Sequence, residues 1–305
     1  MKDDITIVIP VYNRETIVGR TLESVAAQTW RPLNVILVDN NSNDGTMEVL
    51  EKWKAKNAAE DFKIQIISEP KPGACQARNA GLKAVETRWT LFFDSDDVML
   101  LTHLQATMEF IAAHPDVEVV GWQRDIELLG GKKTTRYFAD SDYIFQNLFQ
   151  SIFSTQNYCA LTSIFRRAGG WMPDGGMGDD VELGQRIINL NPRMLYRHGP
   201  TTVKVFEGAE SITHGLPNRM ESYMKTMEVL RRNLPVRYHH WLDLREMLQG
   251  ATWGKDDPES AKIEERILQN TPWLRRQLWK LFLFYQKHGG RGVGRIYKLV
   301  RWTGL

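Results

Sequence analysis

Hydrophobic and polar positions follow two different periods in the first third of the chain. Short runs of consecutive apolar residues, rich in β-branched side chains, predict buried strands at 5–9, 35–38, 63–68 and 89–93. Between these runs apolar residues recur every three or four positions, which predicts helices at 15–28, 46–56 and 75–85. Strands that alternate with helices predict an α/β fold with a mostly parallel sheet flanked by helices on both faces.

The pattern changes after residue 114. Further strands are predicted at 117–122, 157–165 and 202–206, with a hairpin turn at Gly130-Gly131. From residue 218 onward, helical stretches dominate. The sequence therefore predicts an α/β domain over 1–215, made of the halves 1–114 and 115–215, and a helical, basic C-terminal extension over 216–305.

Three carboxylates, those of Asp94, Asp96 and Asp97, follow the apolar run that ends at Phe93. Open parallel sheets bind ligands outside the carboxyl ends of their strands, and Asp39 ends another predicted strand at that edge. Acids this close to one another need a cation or hydrogen-bond donors, and hard oxygen ligands suit Mg²⁺ or Mn²⁺. In the alternative interpretation, one aspartate caps the next helix and the others face water.

The loop after the first strand separates two kinds of nucleotide site. A dinucleotide-binding dehydrogenase needs a glycine-rich turn there, and residues 10–15 contain no glycine. No Gly-Lys-Ser/Thr follows a predicted strand, which excludes a P-loop in this sequence. A metal-dependent nucleotide site remains, in which Tyr12 stacks on a base and Asp39 accepts a hydrogen bond from the base or ribose. Arg78 would meet a phosphate or carboxylate.

Composition and charge narrow the setting. The chain of 305 residues has 42% hydrophobic and 25% charged residues, as expected of a globular protein. Two cysteines, Cys75 and Cys159, cannot form a disulfide framework and suit a reducing cytosol. With no signal peptide and no apolar stretch of transmembrane length visible, we expect a cytoplasmic protein that reaches the inner face of the plasma membrane only as a peripheral one.

The basic residues are concentrated at the C-terminus. Residues 271–305 carry eight Lys or Arg and no Asp or Glu, interleaved with Trp, Leu, Phe and Tyr. Helices of this composition are typical of segments that lie in a membrane interface with their cations on anionic lipid. The alternative is that they pack on the first domain with a solvated basic rim. Nucleic-acid binding is not expected, because the segment has no recognisable motif for it.

Four motifs stand in a fixed order: VIPVYN (8–13), VDNNSNDGT (38–46), GACQARNAG (73–81) and FDSDD (93–97). Together they resemble the motifs of family 2 glycosyltransferases of the GT-A fold, and GDDVEL (178–183) extends the resemblance to about residue 215. The resemblance implies an inverting transferase that uses a nucleotide-sugar and a divalent metal, Mn²⁺ or Mg²⁺. It makes 1–114 the nucleotide-binding half and 115–215 the acceptor half.

The resemblance also assigns roles to individual residues. Asp39 would bind the base, Asp94 would approach the ribose, and Asp96 would hold the metal on the diphosphate, with Asp94 and His214 as further metal ligands. The nucleotide-binding residues that it implies are Pro10, Tyr12, Asn13, Glu15, Asp39, Arg78, Asp94 and Ser95. Where the family often has two acids after the second strand, this chain has Asp39-Asn40, which leaves the donor nucleotide open.

An inverting transfer needs a general base on the face of the sugar opposite the leaving nucleotide. The family usually has Glu-Asp after a glycine-rich loop, with the second acid as the base. By this resemblance the base is Asp180, and Asp179 takes the place of the usual Glu. The alternative is that both acids only complement the dipole of the helix that begins there.

We therefore expect a hexosyltransferase-type enzyme that transfers a sugar from a UDP-sugar to a hydroxyl group with inversion. The acceptor would be a saccharide or lipid-linked saccharide in bacterial surface-polysaccharide biosynthesis. Two alternatives stay open. One is a catalytically inactive, sugar-nucleotide-binding assembly partner, and the other is a sugar nucleotidyltransferase, which would release pyrophosphate instead of a nucleoside diphosphate.

Overall fold

The computed structural model describes residues 4–128, 130–206, 219–253 and 258–288. Its first part alternates strands and helices as the hydrophobic pattern predicts. In chain order these are β1 Ile5–Val11, α1 Val18–Ala26, β2 Leu33–Asp39, α2 Thr46–Asn57, β3 Phe62–Ser68, α3 Ala74–Ala84 and β4 Trp89–Phe92. Each predicted strand and helix is present, with ends that differ by a few residues.

The second part has shorter elements. They are β5 Val98–Met99, α4 His103–Ala113, β6 Val119–Gly121, β7 Arg124–Glu127, β8 Lys133–Arg136, α5 Tyr143–Gln150, β9 Tyr158–Leu161, α6 Thr162–Arg167, α7 Asp179–Asn189, β10 Met194–Tyr196 and β11 Val203–Phe206. The predicted strand 157–165 is wrong in its second half, where the chain turns into α6. A short apolar run does not distinguish a strand from a buried helix. The Thr162 hydroxyl, which donates to the Thr87 carbonyl at 2.8 Å, ties the start of α6 to the segment before β4.

The main sheet has seven strands in the order β10-β6-β9-β4-β1-β2-β3. β1 pairs in parallel with β2 and β4, β2 with β3, and β6 with β10, whereas β9 is antiparallel to β4 and β6. Successive residues of β1 face opposite sides, so Ile7 and Ile9 pack with Leu22 of α1, and Val8 packs with Ala77 of α3. Helices cover both faces, which confirms the predicted fold class.

A second sheet of four strands has the order β5-β11-β7-β8. The predicted hairpin is confirmed as the antiparallel pair β7–β8. Gly130 and Gly131 in its turn have φ values of +90° and +78°, in the left-handed region that favours glycine. This sheet is joined to the loop after β4 by a hydrogen bond from the backbone N–H of Phe206 to the Asp97 carboxylate, at 3.1 Å.

The described residues after 218 are predominantly helical, as predicted: α8 Arg219–Asn233, α9 His239–Trp253, α10 Pro258–Gln269 and α11 Trp273–Lys287. Tyr223 and Met227 of α8 share a buried cluster with Val181 of α7. Trp279 and Phe282 of α11 join a second cluster with α9 and α10. The predicted domain boundary near 215 lies outside the described residues. Among the helices described, none combines the length and the apolar character needed to span a bilayer.

Candidate active site

Two loops at the carboxyl ends of β1 and β2 are cross-linked into one wall. The Asn13 backbone N–H donates to Ser42 Oγ at 3.0 Å, and the Asn43 N–H donates to Asn13 Oδ1 at 2.9 Å. Glu15 Oε2 accepts the Gly45 N–H at 3.0 Å, and a Cβ at Gly45 would lie 2.6 Å from that carboxyl group. Asn13 and Glu15, both predicted nucleotide-binding residues, therefore hold the two loops together.

Tyr12 lies in the loop after β1, and Pro10 lies near the end of β1 itself. Pro10 is part of β1, opposite Val38 of β2, and Tyr12 follows the strand with 47% of its surface exposed. An aromatic ring that lies this open beside a polar loop can stack on a nucleotide base. The structure thus brings Tyr12 and Pro10 to the same edge of the sheet as Asp39.

Asp39 ends β2, and one oxygen of its carboxylate has no hydrogen-bond partner among the described residues. Its side chain is 5% exposed, and its Oδ2 accepts the Ser42 N–H at 3.3 Å. Its Oδ1 is buried and has no hydrogen-bond partner among the described residues. Buried carboxylate oxygens are normally paired, so an unpaired one at the edge of the sheet is suited to accept a hydrogen bond from a ligand.

Asn40 explains why this chain has an amide where the family often has a second acid. Its Nδ2 donates to the carbonyls of Glu69, at 2.9 Å, and Lys71, at 2.7 Å, while its Oδ1 accepts the Gly73 N–H at 2.7 Å. An ionised aspartate could make only the last of these bonds, because a carboxylate donates none. Asn40 therefore fixes the loop after β3, and the carboxylate that has an unpaired oxygen at this edge of the sheet, in the part of the chain described, is that of Asp39.

Arg78 of α3 bridges two distant acids. Its Nη2 donates to Asp94 Oδ1 at 2.9 Å and its Nη1 donates to Asp179 Oδ2 at 3.3 Å, while its guanidinium carbon lies 4.5 Å from the Trp171 ring centroid. Burial alone would lower the pKa of Arg78, but the surrounding carboxylates, first Asp94 and then Asp179, outweigh it and raise that pKa. The bridge joins the loop after β4 to the start of α7, the two places where the predicted donor site and base lie.

Asp94 is held on its other side by two residues that sequence reasoning missed. Thr155 Oγ1 donates to Asp94 Oδ2 at 3.0 Å, and Gln156 Nε2 lies 2.5 Å from the same oxygen and 2.6 Å from Asp97 Oδ2. Burial, followed by the charges of Asp94 and Asp96, raises the pKa of Asp97 well above its usual value. Thr155 and Gln156 carry no local motif, since they precede β9 and reach the acids only through the folding of the sheet.

Asp96 is the open carboxylate of the group. It is half-buried, and no hydrogen bond from another described side chain reaches its carboxylate, although Arg20 donates to its backbone carbonyl. Burial and the charge of Asp94 raise the pKa of Asp96, and the cations of Arg14 and Arg20 lower it only in part. Ser95, 8% exposed, lies between Asp94 and Asp96.

A divalent cation fits this arrangement through Asp96. Mg²⁺ is commonly held by one or two carboxylates together with substrate phosphates, and a cation would offset the burial and the charge of Asp94 that together raise the Asp96 pKa. Both oxygens of Asp94 are engaged by Arg78, Thr155 and Gln156. Within the described ranges no group of three or more His, Cys, Asp or Glu side chains is arranged to hold a metal. His214, the further predicted ligand, lies outside the described residues.

Asp179 and Asp180 form the first turn of α7 and differ in their contacts. Asp179 is fully engaged: its Oδ1 accepts the Asp180 N–H at 2.9 Å, and its Oδ2 accepts from Arg78 and from the Cys75 thiol at 3.0 Å. Asp180 Oδ1 is buried and has no partner within the described part of the chain. Burial, and then the charge of Asp179, raise the pKa of Asp180 well above its usual value, against the lowering effects of Arg78 and Arg124. A carboxylate in this state has the properties of a general base.

The glycine-rich loop before α7 is held by the C-terminal extension. Gly178, at the N-terminus of α7, has φ of +90°. The Met177 N–H donates to Ser222 Oγ of α8 at 3.3 Å, and a Cβ at Gly176 would lie 2.0 Å from that oxygen. Helix α8 therefore positions the segment that carries Asp180, which is a role the sequence pattern did not predict.

The chain matches the family model described as glycosyl transferase family 2 over residues 6–169, more than half of its length. The chain belongs to this family. Asp39, Arg78, Asp94 and Asp96 all lie inside the matched segment, whereas Asp180 lies beyond it. Family 2 glycosyltransferases are enzymes that transfer sugars, and most of the candidate site therefore lies in the segment that carries the family resemblance.

The relatives similar in sequence are named as glycosyltransferases, and a solved structure shares the fold. Glycosyltransferase GlyA of Streptococcus pneumoniae is 24% identical over 211 residues, which are 64% of this chain and 29% of that protein. WfaP of Escherichia coli, named a UDP-Glc:alpha-D-GlcNAc-diphosphoundecaprenol beta-1,3-glucosyltransferase, is 26% identical over 147 residues, 48% of this chain and 51% of that one. This chain thus spans about half or less of the length of these relatives. The crystal structure of Staphylococcus aureus TarS 1–349 in complex with UDP-GlcNAc has a TM-score of 0.69 at 17% identity, covering 94% of this chain and 88% of that one, which supports the GT-A fold.

Proposed function

We propose that this family 2 glycosyltransferase transfers a sugar from a UDP-sugar to a hydroxyl group of an acceptor with inversion, with Asp180 as the general base. The observation that carries the proposal is the contrast between two adjacent acids. Asp179 is bonded to Arg78 and Cys75, whereas Asp180 Oδ1 is buried and unpaired in the described structure. A base must have a free oxygen to take a proton, and Asp180 has one.

Each side chain then has a task that its contacts allow. Asp39 accepts a hydrogen bond from the base, and Tyr12 stacks on it. Arg78 holds Asp94, at the expected ribose position, and Asp179 in one rigid unit. Asp180 takes the proton from the acceptor hydroxyl as that oxygen attacks the sugar. A Mg²⁺ or Mn²⁺ ion on Asp96 would supply positive charge to the departing diphosphate.

The choice of uridine rests on Asp39 and on the relatives. Uracil presents an imide N–H, which fits the unpaired, buried Asp39 Oδ1. The TarS structure contains UDP-GlcNAc, and WfaP is named as a user of UDP-Glc. A lipid-linked saccharide acceptor in bacterial surface-polysaccharide assembly is supported by the name of WfaP, which includes a diphosphoundecaprenol acceptor.

A donor screen by calorimetry tests this proposal, with UDP, GDP, dTDP and CDP, each with and without Mn²⁺. We expect UDP to bind most tightly, and Asp96→Asn to remove the gain in affinity from Mn²⁺ without removing metal-free binding. No binding of any nucleotide would refute the proposal. Metal-dependent binding without hydrolysis or transfer would favour the inactive assembly partner. Release of pyrophosphate from a nucleoside triphosphate and a sugar phosphate would instead identify a nucleotidyltransferase.

Contact with the membrane surface belongs to the same proposal. Helix α11 packs through Trp279, Phe282 and Leu283, yet its opposite side exposes the large apolar side chains of Trp273, Leu274, Leu281, Phe284 and Tyr285, between 42% and 70% exposed. The helix carries Arg and Lys and no acid. An apolar stripe with flanking cations suits an anionic lipid surface. The further basic residues Arg291, Arg295, Lys298 and Arg301 lie outside the described residues.

Co-sedimentation with vesicles tests the membrane proposal. We expect the protein to pellet with phosphatidylglycerol vesicles at low salt, and Leu281→Ser/Phe284→Ser to reduce the bound fraction at unchanged thermal stability, because both side chains are 61% exposed. Leu101→Ser, at a 55% exposed site on the other domain, is the matched control and should not change binding. The proposal would be contradicted if the wild type, the double variant and the Leu101→Ser control pelleted equally, or if none of the three proteins pelleted.

A further inference from the structure

Arg124, the first residue of β7, is a buried cation with unused hydrogen-bond donors. Its side chain is 7% exposed, and its Nη2 donates to Ser154 Oγ at 3.0 Å. Its Nε and Nη1 are buried and have no partner among the described residues. Buried N–H groups are nearly always paired, and an unpaired one on a charged group is especially unfavourable. Two such groups on one side chain indicate that a ligand supplies the acceptors.

The contact with Ser154 places Arg124 beside the acids of the site, because the next two residues, Thr155 and Gln156, both donate hydrogen bonds to Asp94. Burial lowers the pKa of its guanidinium to about 10, and the carboxylates of Asp180, Asp97 and Asp94 oppose this effect, in that order. Arg124 is therefore still a cation at neutral pH. Yet no ion pair within 4.0 Å joins it to any of these acids in the described chain.

The acids whose charges act on Arg124 belong to both ends of the proposed reaction. Asp94 is on the donor side, Asp180 is the proposed base, and Arg124 is influenced by both. In an inverting transfer the transferred sugar lies between the base and the leaving diphosphate, with the attacking acceptor hydroxyl on the side of the base. We propose that Arg124 binds the transferred sugar, with Nε and Nη1 donating hydrogen bonds to its oxygen substituents. This inference rests on the proposed function, because it takes the identity of the donor and of the base from it.

A guanidinium recognises several oxygen acceptors, and the sugars used as probes separate them. Hydroxyl groups, an N-acetyl carbonyl and a uronic carboxylate all accept from Arg, the carboxylate most strongly. UDP-Glc, UDP-GlcNAc and UDP-glucuronic acid present these three acceptors on the same nucleotide. The probe whose affinity depends most on Arg124 therefore names the substituent that it binds.

The experiment compares UDP with the three UDP-sugars on Arg124→Gln, by calorimetry in the presence of Mn²⁺. We expect UDP affinity to be unchanged and the affinity of at least one UDP-sugar to fall about 10- to 100-fold, the range for losing hydrogen bonds from a charged donor. Arg124→Lys keeps the charge and should lose less. Arg197→Gln is the matched control: Arg197 is 6% exposed and also has a buried Nε without a partner in the described chain, but its Nη2 donates to Thr202 Oγ1 at 3.0 Å and no acid of the site contributes to its pKa shift. The change should therefore affect the binding of neither UDP nor the UDP-sugars.

Three results would overturn the inference. The first is an equal effect of Arg124→Gln on UDP and on every UDP-sugar, or no effect on any of them. The second is the same loss in Ser154→Ala, which removes the contact between Arg124 and Ser154 and the hydrogen bond from Ser154 Oγ to the Ser151 carbonyl but keeps the guanidinium, and would reveal a structural role. The third is wild-type protein that binds UDP but none of the UDP-sugars. If the wild type binds no nucleotide at all, the proposed function itself fails. If Arg124→Gln does not fold, Arg124→Lys decides between the outcomes.

Discussion

Replacement of Asp180 by Asn should separate catalysis from stability. The change keeps the shape of the side chain and removes one negative charge from the group formed with Asp179 and Asp94. Because Asn cannot accept the proton of the acceptor hydroxyl, we expect kcat to fall by about 10²–10⁴, the range for general acid–base catalysis. UDP affinity should be unchanged, because no contact of Asp180 reaches the nucleotide wall formed by the loops after β1 and β2.

The same substitution should stabilise the fold at neutral pH. Burial raises the pKa of Asp180, so the folded state holds its proton more tightly than the unfolded state, whose pKa is about 4. Stability of the wild type therefore falls as pH rises from about 4 through the folded pKa, and the Asp180→Asn variant would not show this loss. A shift of one pKa unit corresponds to about 1.4 kcal/mol in the free energy of unfolding. For Asp180 this figure is an upper limit, because the residue is half-buried and solvent screens its charge.

Differential scanning calorimetry and transfer assays over a pH series test both effects. We expect Asp180→Asn to raise Tm at pH 7.5, by about 2 °C for each kcal/mol that the ionised carboxylate costs the fold. This difference should disappear below about pH 3, where the carboxyl group of the wild type is protonated in both the folded and the unfolded state. Asp179→Asn is the matched control and should lower Tm, because it weakens the contact with Arg78. An Asp180→Asn protein with near-normal kcat, or with a Tm below that of the wild type at pH 7.5, would refute the reasoning.

Two further predictions concern the donor site. Arg78→Lys should lower kcat/KM for the donor about 10- to 100-fold, because one ammonium group cannot hold both Asp94 and Asp179 as the two guanidinium nitrogens do. Steady-state kinetics would measure this loss, and an unchanged far-ultraviolet circular dichroism spectrum would show that the variant is folded. Unchanged kinetics would show that the bridge is dispensable. Asp39→Ala should weaken UDP binding about 10- to 100-fold, the range for a hydrogen bond to a charged group. If calorimetry without metal gives the variant the same UDP affinity as the wild type, Asp39 does not bind the base.

The structure also changes the interpretation of the C-terminal extension. The sequence offered a membrane-facing segment or a packed one as alternatives, and α11 has both faces: Trp279 and Phe282 are buried, and Trp273 and Leu281 are exposed. Helix α8 also contacts the candidate site, since its Ser222 Oγ accepts a hydrogen bond from the Met177 N–H in the loop that precedes α7. A change in the extension can therefore reach the proposed base without altering any residue of the matched family segment.

The sequence by itself determined the fold class and the edge of the sheet at which the candidate site lies. Runs of apolar residues and the helical period are local properties, and parallel strands bring their carboxyl ends to one edge, so Asp39 and Asp94 could be placed together before any contact was known. The motifs around Arg78 and Asp96 could be recognised for the same reason, because each is a short stretch of adjacent residues.

Only the tertiary structure decided which polar atoms are engaged and which are open. Arg78 and Asp179 are 101 positions apart, and Gln156 and Asp94 are 62 apart, so neither pairing has a local signal. The same holds for the open oxygens of Asp39 and Asp180 and for the unused donors of Arg124, because a missing partner is a property of everything packed around the atom. Hydrophobic periodicity is fixed by neighbours along the chain, whereas hydrogen bonding and burial are fixed by neighbours in space.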